Sequence, residues 1–316
     1  TGVDYTHEDL VDNMWRNPGE IGNDANGVSK ATNGIDDDGN GFVDDVVGWD
    51  FGKNDNKPYD LHKTGFQLLL GGNPGHGTHV AGCVAATGDN GKGIAGVAPN
   101  VKIMGMRFIT EEGQGTTEGA IGAIKYAVDN GAHILQNSWG SEGDGGDQEA
   151  SQALQDAIQY ALDAGVLFVA AAGNGHQGVG YDNDTDSRPA YPASYPHENI
   201  ISVAAIDKTD QLGSFSNWGR NTVDIAAPGV AVFSTVPDNV YQDTVIDIPG
   251  LITAAWDVTS IAAPHVSGAA ALYMSLHPNA DWREVKQAIL NSAVPINAVQ
   301  GKVVSNGKLN VRNLVQ

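Results

Sequence analysis

The chain has 316 residues, of which 41% are hydrophobic and 7% aromatic, so it can bury one sizeable core and fits one large α/β domain spanning residues 1–316. Lys and Arg number 17 against 38 Asp and Glu, and the net charge of −21 repels phosphate backbones and anionic lipid surfaces. Nucleic acid and membrane are therefore excluded as expected partners. No run of about 18 apolar residues predicts a membrane span, and no basic-then-apolar leader opens the chain, which favours a mature or trimmed soluble protein.

The first fifty residues are rich in Asn, Asp and Gly and hold few apolar runs. They predict a long ordered loop, and a loop of this length usually needs a ligand to hold it. Between residues 33 and 45, oxygen-bearing side chains recur at alternate positions, and Gly41 falls at the sharp turn. This spacing resembles the first half of a calcium-binding loop. Within an acidic loop at about residues 16–50, the predicted Ca²⁺ ligands are the side chains of Asp36, Asp38 and Asn40 and the carbonyl of Phe42.

The shell of this calcium site needs one more carboxylate. Val47 stands where an EF-hand has its final bidentate Glu, so Asp44 or Asp45 must complete the coordination. The alternative is a solvated acidic loop that binds no ion. We favour calcium because so many neighbouring carboxylates repel one another unless a cation neutralises them.

Further along the chain, short β-branched runs alternate with amphipathic stretches, a pattern typical of a parallel sheet with crossover helices. The predicted strands are Val101–Met106, His133–Asn137, Val166–Ala171, Ile200–Ala205 and Val223–Ala226. Helical spacing predicts crossover helices at Thr116–Asn130 and Gln148–Ala164. A helix of small apolar residues is predicted at Thr259–His277, followed by one at Asp281–Ser292 with Asp281 as its N-cap.

Three separated motifs carry chemically useful side chains. His76 stands between two glycines at the start of an apolar helical run, which leaves its ring uncrowded. Asn174 follows a buried strand, and open α/β sheets place their sites at such strand ends. Ser260 falls in the first turn of a predicted buried helix, where free N–H groups favour a developing oxyanion.

These motifs resemble the signatures of a known family. Residues 75–82, 170–175 and 259–268 resemble the histidine, oxyanion-asparagine and serine signatures of the subtilisin-like serine peptidases, the subtilases, in that family's order. Residues 137–140 resemble the strand that lines the family's substrate cleft, and residues 191–196 another familiar segment. The resemblance spans nearly the whole chain and implies a three-layer αβα subtilisin-like fold with a mainly parallel central sheet.

The resemblance also implies roles for individual residues. Ser260 would attack the scissile carbonyl, while His76 removes its proton and later delivers one to the leaving amine. Asn174 would donate its side-chain N–H to the tetrahedral oxyanion. The residues that would bind the substrate or shape its primary pocket are Ser138, Trp139, Gly140 and Gly173.

Isolated residues of these types usually have structural roles. His79, His133 and His265 fall inside predicted helices or strands, so we expect structural roles for them. Cys83, the only cysteine, is expected to be a buried small hydrophobic residue. His76 is singled out only because the serine and asparagine motifs accompany it.

The chain departs from the family pattern at two places. The family's catalytic Asp lies just ahead of a Thr-Gly or Ser-Gly pair, and the chain opens on Thr1, so the Asp and its strand are expected to precede Thr1. Asp4 is expected to point elsewhere. The alternative is a natural pseudoenzyme, but the absence of an entire buried strand favours the first view. Val258 replaces a family glycine, and would be strained if that position required a positive φ.

The sequence therefore supports two functional hypotheses. The first is a calcium-stabilised serine endopeptidase that cleaves extended polypeptides through an acyl-enzyme, although the chain without the Asp should have little activity. The second is an inactive pseudoprotease acting as a calcium-dependent peptide-binding module. The resemblance further implies secretion and a monomer, and allows for an inhibitory propeptide as a partner.

Overall fold

The computed structural model describes residues 1–143, 148–248 and 251–316. The strands in chain order are β1 (Gly48–Asp50), β2 (Gly105–Arg107), β3 (Ile134–Asn137), β4 (Ser141–Glu142), β5 (Leu167–Ala171), β6 (Ala190–Tyr191), β7 (Ile200–Ile206), β8 (Ile225–Pro228), β9 (Ser234–Val236), β10 (Val240–Gln242), β11 (Thr244–Ile248), β12 (Ile252–Ala255), β13 (Val294–Pro295) and β14 (Gly307–Lys308). The α-helices are α1 (His76–Ala85), α2 (Thr117–Asp129), α3 (Gln148–Asp163), α4 (Thr259–Leu276), α5 (Trp282–Ser292) and α6 (Val311–Leu314).

The central sheet has six strands in the order β13-β14-β8-β7-β5-β3. Within this sheet, each pair of neighbouring strands from β3 to β14 is parallel, and β13 runs antiparallel to β14. β1 and β2 pair in parallel with each other in a separate two-stranded sheet. The mainly parallel sheet predicted from the sequence is confirmed.

Helices cover both faces of this sheet. Along β5, Leu167 and Val169 pack into one buried cluster with residues of α4 and α5. Phe168 and Ala170, on the opposite face, pack with residues of α2 and α3. Successive side chains of a strand point to opposite faces, so one buried strand fills both cores. The result is the three-layer αβα arrangement.

Most predicted boundaries lie within two residues of the observed ones. Thr116 caps α2 by accepting the Gly119 N–H at 3.0 Å, and Asp281 caps α5 by accepting the Glu284 N–H at 2.9 Å. The predicted start of β2 at Val101 is wrong, because the chain becomes a strand only at Gly105. Before that point the backbone bonds to the N-terminal loop instead, because the Ile103 N–H donates to the Asn13 carbonyl at 2.8 Å.

The first fifty residues form turns and short 3-10 segments, as predicted, with β1 at their end. Cys83 is buried and unpaired, also as predicted. Among the described residues, no helix combines the length and the apolar character needed to cross a bilayer.

Candidate active site and acidic loop

Two features hold His76 at the first position of α1. Gly75 has φ +91°, a conformation that L side chains rarely adopt, and a Cβ there would lie 2.4 Å from the Pro237 side chain. The Asn73 side-chain oxygen accepts the N–H groups of Gly75 and His76 at 3.0 and 2.9 Å. These bonds satisfy two otherwise free donors of the helix start and fix the direction in which His76 leaves the backbone.

The imidazole of His76 lies close to an indole ring. The Trp256 ring is 6.1 Å from that of His76 and 4.4 Å from that of His79. Burial lowers the pKa of His76 to about 3. Within the described part of the chain, no carboxylate pairs with this ring. His76 is therefore held neutral, as a general base must be.

We expect the stability of the chain to fall steadily as the pH drops below about 6.5. Burial lowers the pKa of His79 to about 4, and the folded chain keeps both His76 and His79 neutral. Unfolded histidine titrates near 6.5, so below that pH the unfolded state binds more protons. Each histidine should cost about 1.4 kcal/mol of unfolding free energy per pH unit, down to about pH 4 for His79 and about pH 3 for His76.

Urea unfolding at pH 7, 6, 5 and 4 measures this dependence, and the His79→Gln variant should show a shallower slope. Equal slopes in the parent and the variant would contradict it.

Ser260 lies in the first turn of α4 and is only 8% exposed. Its Oγ donates to the Ser138 carbonyl at 3.3 Å, and the Ser138 Oγ donates to the Ser260 carbonyl at 2.5 Å. No hydrogen bond between Ser260 and His76 occurs among the described residues. Val258 has φ −153° and ψ 149°, which is extended backbone. The position therefore does not require a positive φ, and valine carries no backbone strain there.

Asn174 is positioned by the residue that precedes Ser260. Its side-chain oxygen accepts the Thr259 N–H at 2.8 Å and the Thr259 hydroxyl at 2.9 Å. The preceding residue, Gly173, has φ +109° and lies close to the Asn217 side chain. A Cβ at Gly173 would lie 2.5 Å from the Asn217 amide nitrogen. With its oxygen used in this way, the exposed Asn174 side chain keeps its N–H₂ group available to a ligand.

The segment predicted to bind substrate runs directly after β3. Ser138 contacts Ser260 as described, and the Trp139 ring packs edge-on against Phe108 at 5.2 Å. Gly140 leads into β4. The structure thus brings Ser138 to Ser260, and the substrate-binding role of this segment stays a prediction.

Sequence reasoning gave no role to Thr259, Asn73 or Trp256. The position of Asn73 before the helix was a usable capping signal. No local pattern identifies Trp256, which is only 2% exposed and packs against His76 and His79. The hydrogen bonds of Asp4 go to residues other than His76. Its carboxylate accepts the Thr6 hydroxyl at 2.7 Å and the Asp238 N–H at 3.0 Å.

The acidic loop closes around a buried glutamate that the sequence analysis missed. Carboxylate oxygens of Glu20, Asp36 and Asp38 all lie within 4.8 Å of one another. Glu20 is fully buried, and its Oε2 has no hydrogen-bond partner. An unpaired carboxylate oxygen beside two further carboxylates fits a hard cation such as Ca²⁺, which prefers oxygen ligands. Residue 20 lies within the predicted acidic loop, but no signal in the sequence linked it to the ligands at residues 36–45.

The other predicted ligands differ in their contacts with the three-carboxylate cluster. Asn40 donates its side-chain N–H to Asp38 at 3.3 Å and to Asp45 at 3.0 Å, so Asp45 lies beside the cluster. Asp44 instead accepts the Gly34 N–H, at 3.2 Å. The Phe42 ring packs against Trp49, Phe51 and Tyr126. Both oxygens of Asp45 already accept hydrogen bonds, from Asn17, Asn40 and Tyr126, so which of the two residues completes the shell stays a prediction.

Comparisons with known proteins agree with this architecture. The Subtilase family model matches residues 1–312. A thermophilic serine proteinase from Bacillus sp. (strain AK1) is 36% identical over 315 residues, covering 100% of this chain and 60% of that protein. Thermitase from Thermoactinomyces vulgaris is 37% identical over 271 residues, covering 86% of this chain and 81% of thermitase. The chain thus spans well under two thirds of the length of the first of these relatives.

Solved structures show the same fold. A cold adapted subtilisin-like serine proteinase aligns with a TM-score of 0.64 and 27% identity, covering 98% of this chain and 84% of that one. MycP1 with its N-terminal propeptide removed aligns with a TM-score of 0.66 at 23% identity, which supports the fold alone. The family match, the relatives and the αβα layers agree, and the chain belongs to the subtilase family.

Proposed function

We propose that the chain is the catalytic part of a serine endopeptidase that cleaves extended polypeptides through an acyl-enzyme intermediate. One observation carries the proposal: the start of α4 holds both the hydroxyl of Ser260 and, through Thr259, the amide of Asn174. A nucleophile and an oxyanion donor fixed to one helix N-terminus are what acyl transfer requires. The family membership supports the same chemistry.

Each described side chain has one task in this reaction. The Ser260 Oγ leaves the Ser138 carbonyl and attacks the scissile carbonyl carbon while His76 accepts its proton. The Asn174 N–H and the Ser260 backbone N–H donate to the oxygen that becomes negatively charged. His76 then protonates the leaving amine, and water hydrolyses the acyl-enzyme by the same steps in reverse.

An inactive peptide-binding module remains a second candidate because of specific observations. His76 has neither a hydrogen bond to Ser260 nor a carboxylate partner within the described chain. Hydrogen bonds of a catalytic site are often formed only with substrate bound, so the first of these observations is compatible with an enzyme. An acid that orients the histidine is worth about 10⁴ in rate, so the two candidates differ in whether a carboxylate reaches His76 in the whole protein.

A fluorophosphonate probe distinguishes the two candidates, because it reacts covalently with an activated serine. The enzyme hypothesis expects labelling of Ser260 that disappears in Ser260→Ala and persists in Ser275→Ala, a change of an exposed serine on the same helix. Failure of the calcium-loaded chain to be labelled after prolonged incubation would favour the binding module.

Replacing Asn174 with alanine should lower kcat while leaving KM nearly unchanged, because the lost N–H acts on the transition state. In subtilisin, loss of such a donor costs about 10²–10³ in kcat, and we expect a loss of similar order here. Thr259→Val, which removes the hydroxyl that holds the amide, should give a smaller loss. Asn291→Ala, at an exposed position of α5, is the matched control. A rise in KM with unchanged kcat would contradict the oxyanion role.

We also propose that the acidic loop binds Ca²⁺ and thereby stabilises the fold. The unpaired buried oxygen of Glu20 and its closeness to Asp36 and Asp38 support this assignment. The ion would neutralise the carboxylates and would take no part in bond cleavage. Calcium at extracellular concentrations suffices for sites of modest affinity, which is consistent with a secreted enzyme.

A further inference from the structure

Large apolar side chains are exposed on two elements of the structure that contact each other. The 3-10 segment Gly65–Leu70 lies against β11, the strand that forms a hairpin with β12. The exposed side chains of the segment and the hairpin are Phe66, Leu69, Leu70, Leu251 and Ile252. We call these five residues the apolar ledge. Single exposed apolar residues are ordinary, but a group of them on adjoining elements is typical of a surface that binds a partner.

The 3-10 segment is tied to the residue that positions His76. The Lys63 N–H donates to the Asn73 carbonyl at 2.7 Å, and the Asn73 side chain donates to the Leu61 carbonyl at 2.7 Å. These two bonds hold the ends of the segment together. The oxygen of the same Asn73 side chain accepts the N–H groups of Gly75 and His76. This part of the ledge is therefore fixed relative to the start of α1.

The hairpin brings the rest of the ledge close to the same histidine. Trp256 directly follows β12, and its ring is 6.1 Å from that of His76. A strand rises about 3.4 Å per residue, so the four residues from Ile252 to Trp256 span no more than about 14 Å. The ledge thus lies within the length of a short extended peptide from the ring that packs against His76.

In the proposed reaction, only one part of a polypeptide substrate leaves past His76. The acyl part is joined to Ser260 after the first step, and Ser138, in the segment predicted to bind substrate, contacts Ser260 itself. The leaving amine takes its proton from His76, so the residues after the scissile bond pass this ring and the neighbouring Trp256. An extended chain covers about 14 Å with four residues, so the third and fourth residues after the bond can reach the ledge.

The ledge selects by apolar area and not by charge. Residues 64–72 and 252–256 contain no charged side chain, although the chain holds 38 Asp and Glu. In the hairpin, the Asp247 carboxylate accepts the Thr253 hydroxyl at 2.9 Å. Beside the 3-10 segment, Lys63 pairs with Glu112 at 3.8 Å. An apolar substrate residue gains free energy from the area that it buries on such a surface, whereas a polar one loses hydration.

We propose that the apolar ledge binds large apolar residues at the third and fourth positions after the scissile bond of a polypeptide substrate. The inference rests on the proposed function and names a substrate class for it. The surface is formed before substrate arrives, because Trp256 and Val245 anchor the hairpin in a buried cluster with Val80 and Ile261. A preformed surface loses little conformational entropy on binding.

Acyl transfer to added peptides measures binding on the leaving side alone. A succinyl-Ala-Ala-Phe methyl ester acylates Ser260, and the Ser260 proton passes through His76 to the departing methoxide, giving methanol. The amine of an added peptide then attacks the acyl carbonyl, and its proton passes through His76 to the Ser260 Oγ as the new amide forms. The ratio of amide product to hydrolysed acid reports how well each peptide is bound.

H-Ala-Ala-Leu-Leu-NH₂ should capture the acyl group about tenfold better than H-Ala-Ala-Ser-Ser-NH₂, because partial burial of the leucines is worth about one factor of ten. Leu70→Ser combined with Leu251→Ser should remove this preference. Leu276→Ser, which changes an exposed leucine at the far end of α4, should retain it. Equal capture of the two peptides by the parent, or a preference that persists in the double variant, would overturn the proposal.

Photo-crosslinking tests docking without catalysis. In the Ser260→Ala chain, H-Ala-Ala-Leu-Leu-NH₂ with both leucines replaced by photo-leucine should crosslink to residues 65–70 and 251–252, as mapped by mass spectrometry. Crosslinks that form only elsewhere would overturn docking. Crosslinks at the ledge in a chain that no ester acylates would refute the proposed function and support the binding surface. A dimer in sedimentation that dissociates in the double variant would assign the ledge to a second copy and overturn the substrate role.

Discussion

Ser260→Ala should lower peptidase turnover by only about 10² when His76 has no carboxylate partner, and by about 10⁶ when one is present. In subtilisin, removal of the serine or the histidine costs about 10⁶ in kcat and removal of the aspartate about 10⁴, because the three residues act as a unit. A chain that already lacks the acid has lost most of that advantage. Dividing the loss of about 10⁶ for the serine by the loss of about 10⁴ for the aspartate leaves an expected loss of about 10² in kcat for Ser260→Ala in such a chain.

Initial rates on a chromogenic peptide amide measure both losses, and a form of the chain in which a carboxylate reaches His76 serves as the complete triad. Ser275→Ala in each background controls for unspecific effects on α4. An equally large loss in both backgrounds would mean that another group already orients His76. No loss in either background would remove Ser260 from the reaction altogether.

Local patterns predicted the elements that build the site. Apolar periodicity and the Asp281 cap located the helices, because a helix is stabilised by contacts three or four residues apart. Runs of β-branched and small apolar residues located β5 and β7, which are buried on both faces. The placement of Ser260 at the start of α4 followed from these boundaries.

Contacts between distant segments could not be predicted in this way. Glu20 reaches Asp36 and Asp38 only because the chain folds back on itself within the acidic loop, and Trp256 meets His76 across 180 positions of sequence. The hairpin of β11 and β12 and that of β9 and β10 lack strong alternation, and their pairing depends on tertiary packing.

Chelation of calcium should lower the melting temperature of the chain by several degrees. An ion that binds only the folded state adds about 2.7 kcal/mol of stability at a concentration 100 times its Kd. In a domain of 316 residues, an unfolding entropy of about 2.1 cal/mol/K per residue makes each kcal/mol shift the melting temperature by about 1.5 °C, so a loss of about 4 °C is expected. Thermal melts in CaCl₂ and in EDTA measure the difference, and equal melting temperatures would contradict the site.

The effect of Glu20→Gln on the melting temperature should have opposite signs in CaCl₂ and in EDTA. This reversal separates a calcium ligand from a merely structural residue. With calcium present the variant should melt below the parent, because a charged ligand is lost. In EDTA it should melt above the parent, because the change removes a buried carboxylate beside Asp36 and Asp38 that nothing neutralises. Glu198→Gln, at an exposed position, should shift neither melt. A variant that is destabilised equally in both conditions would show that Glu20 supports the loop without binding the ion.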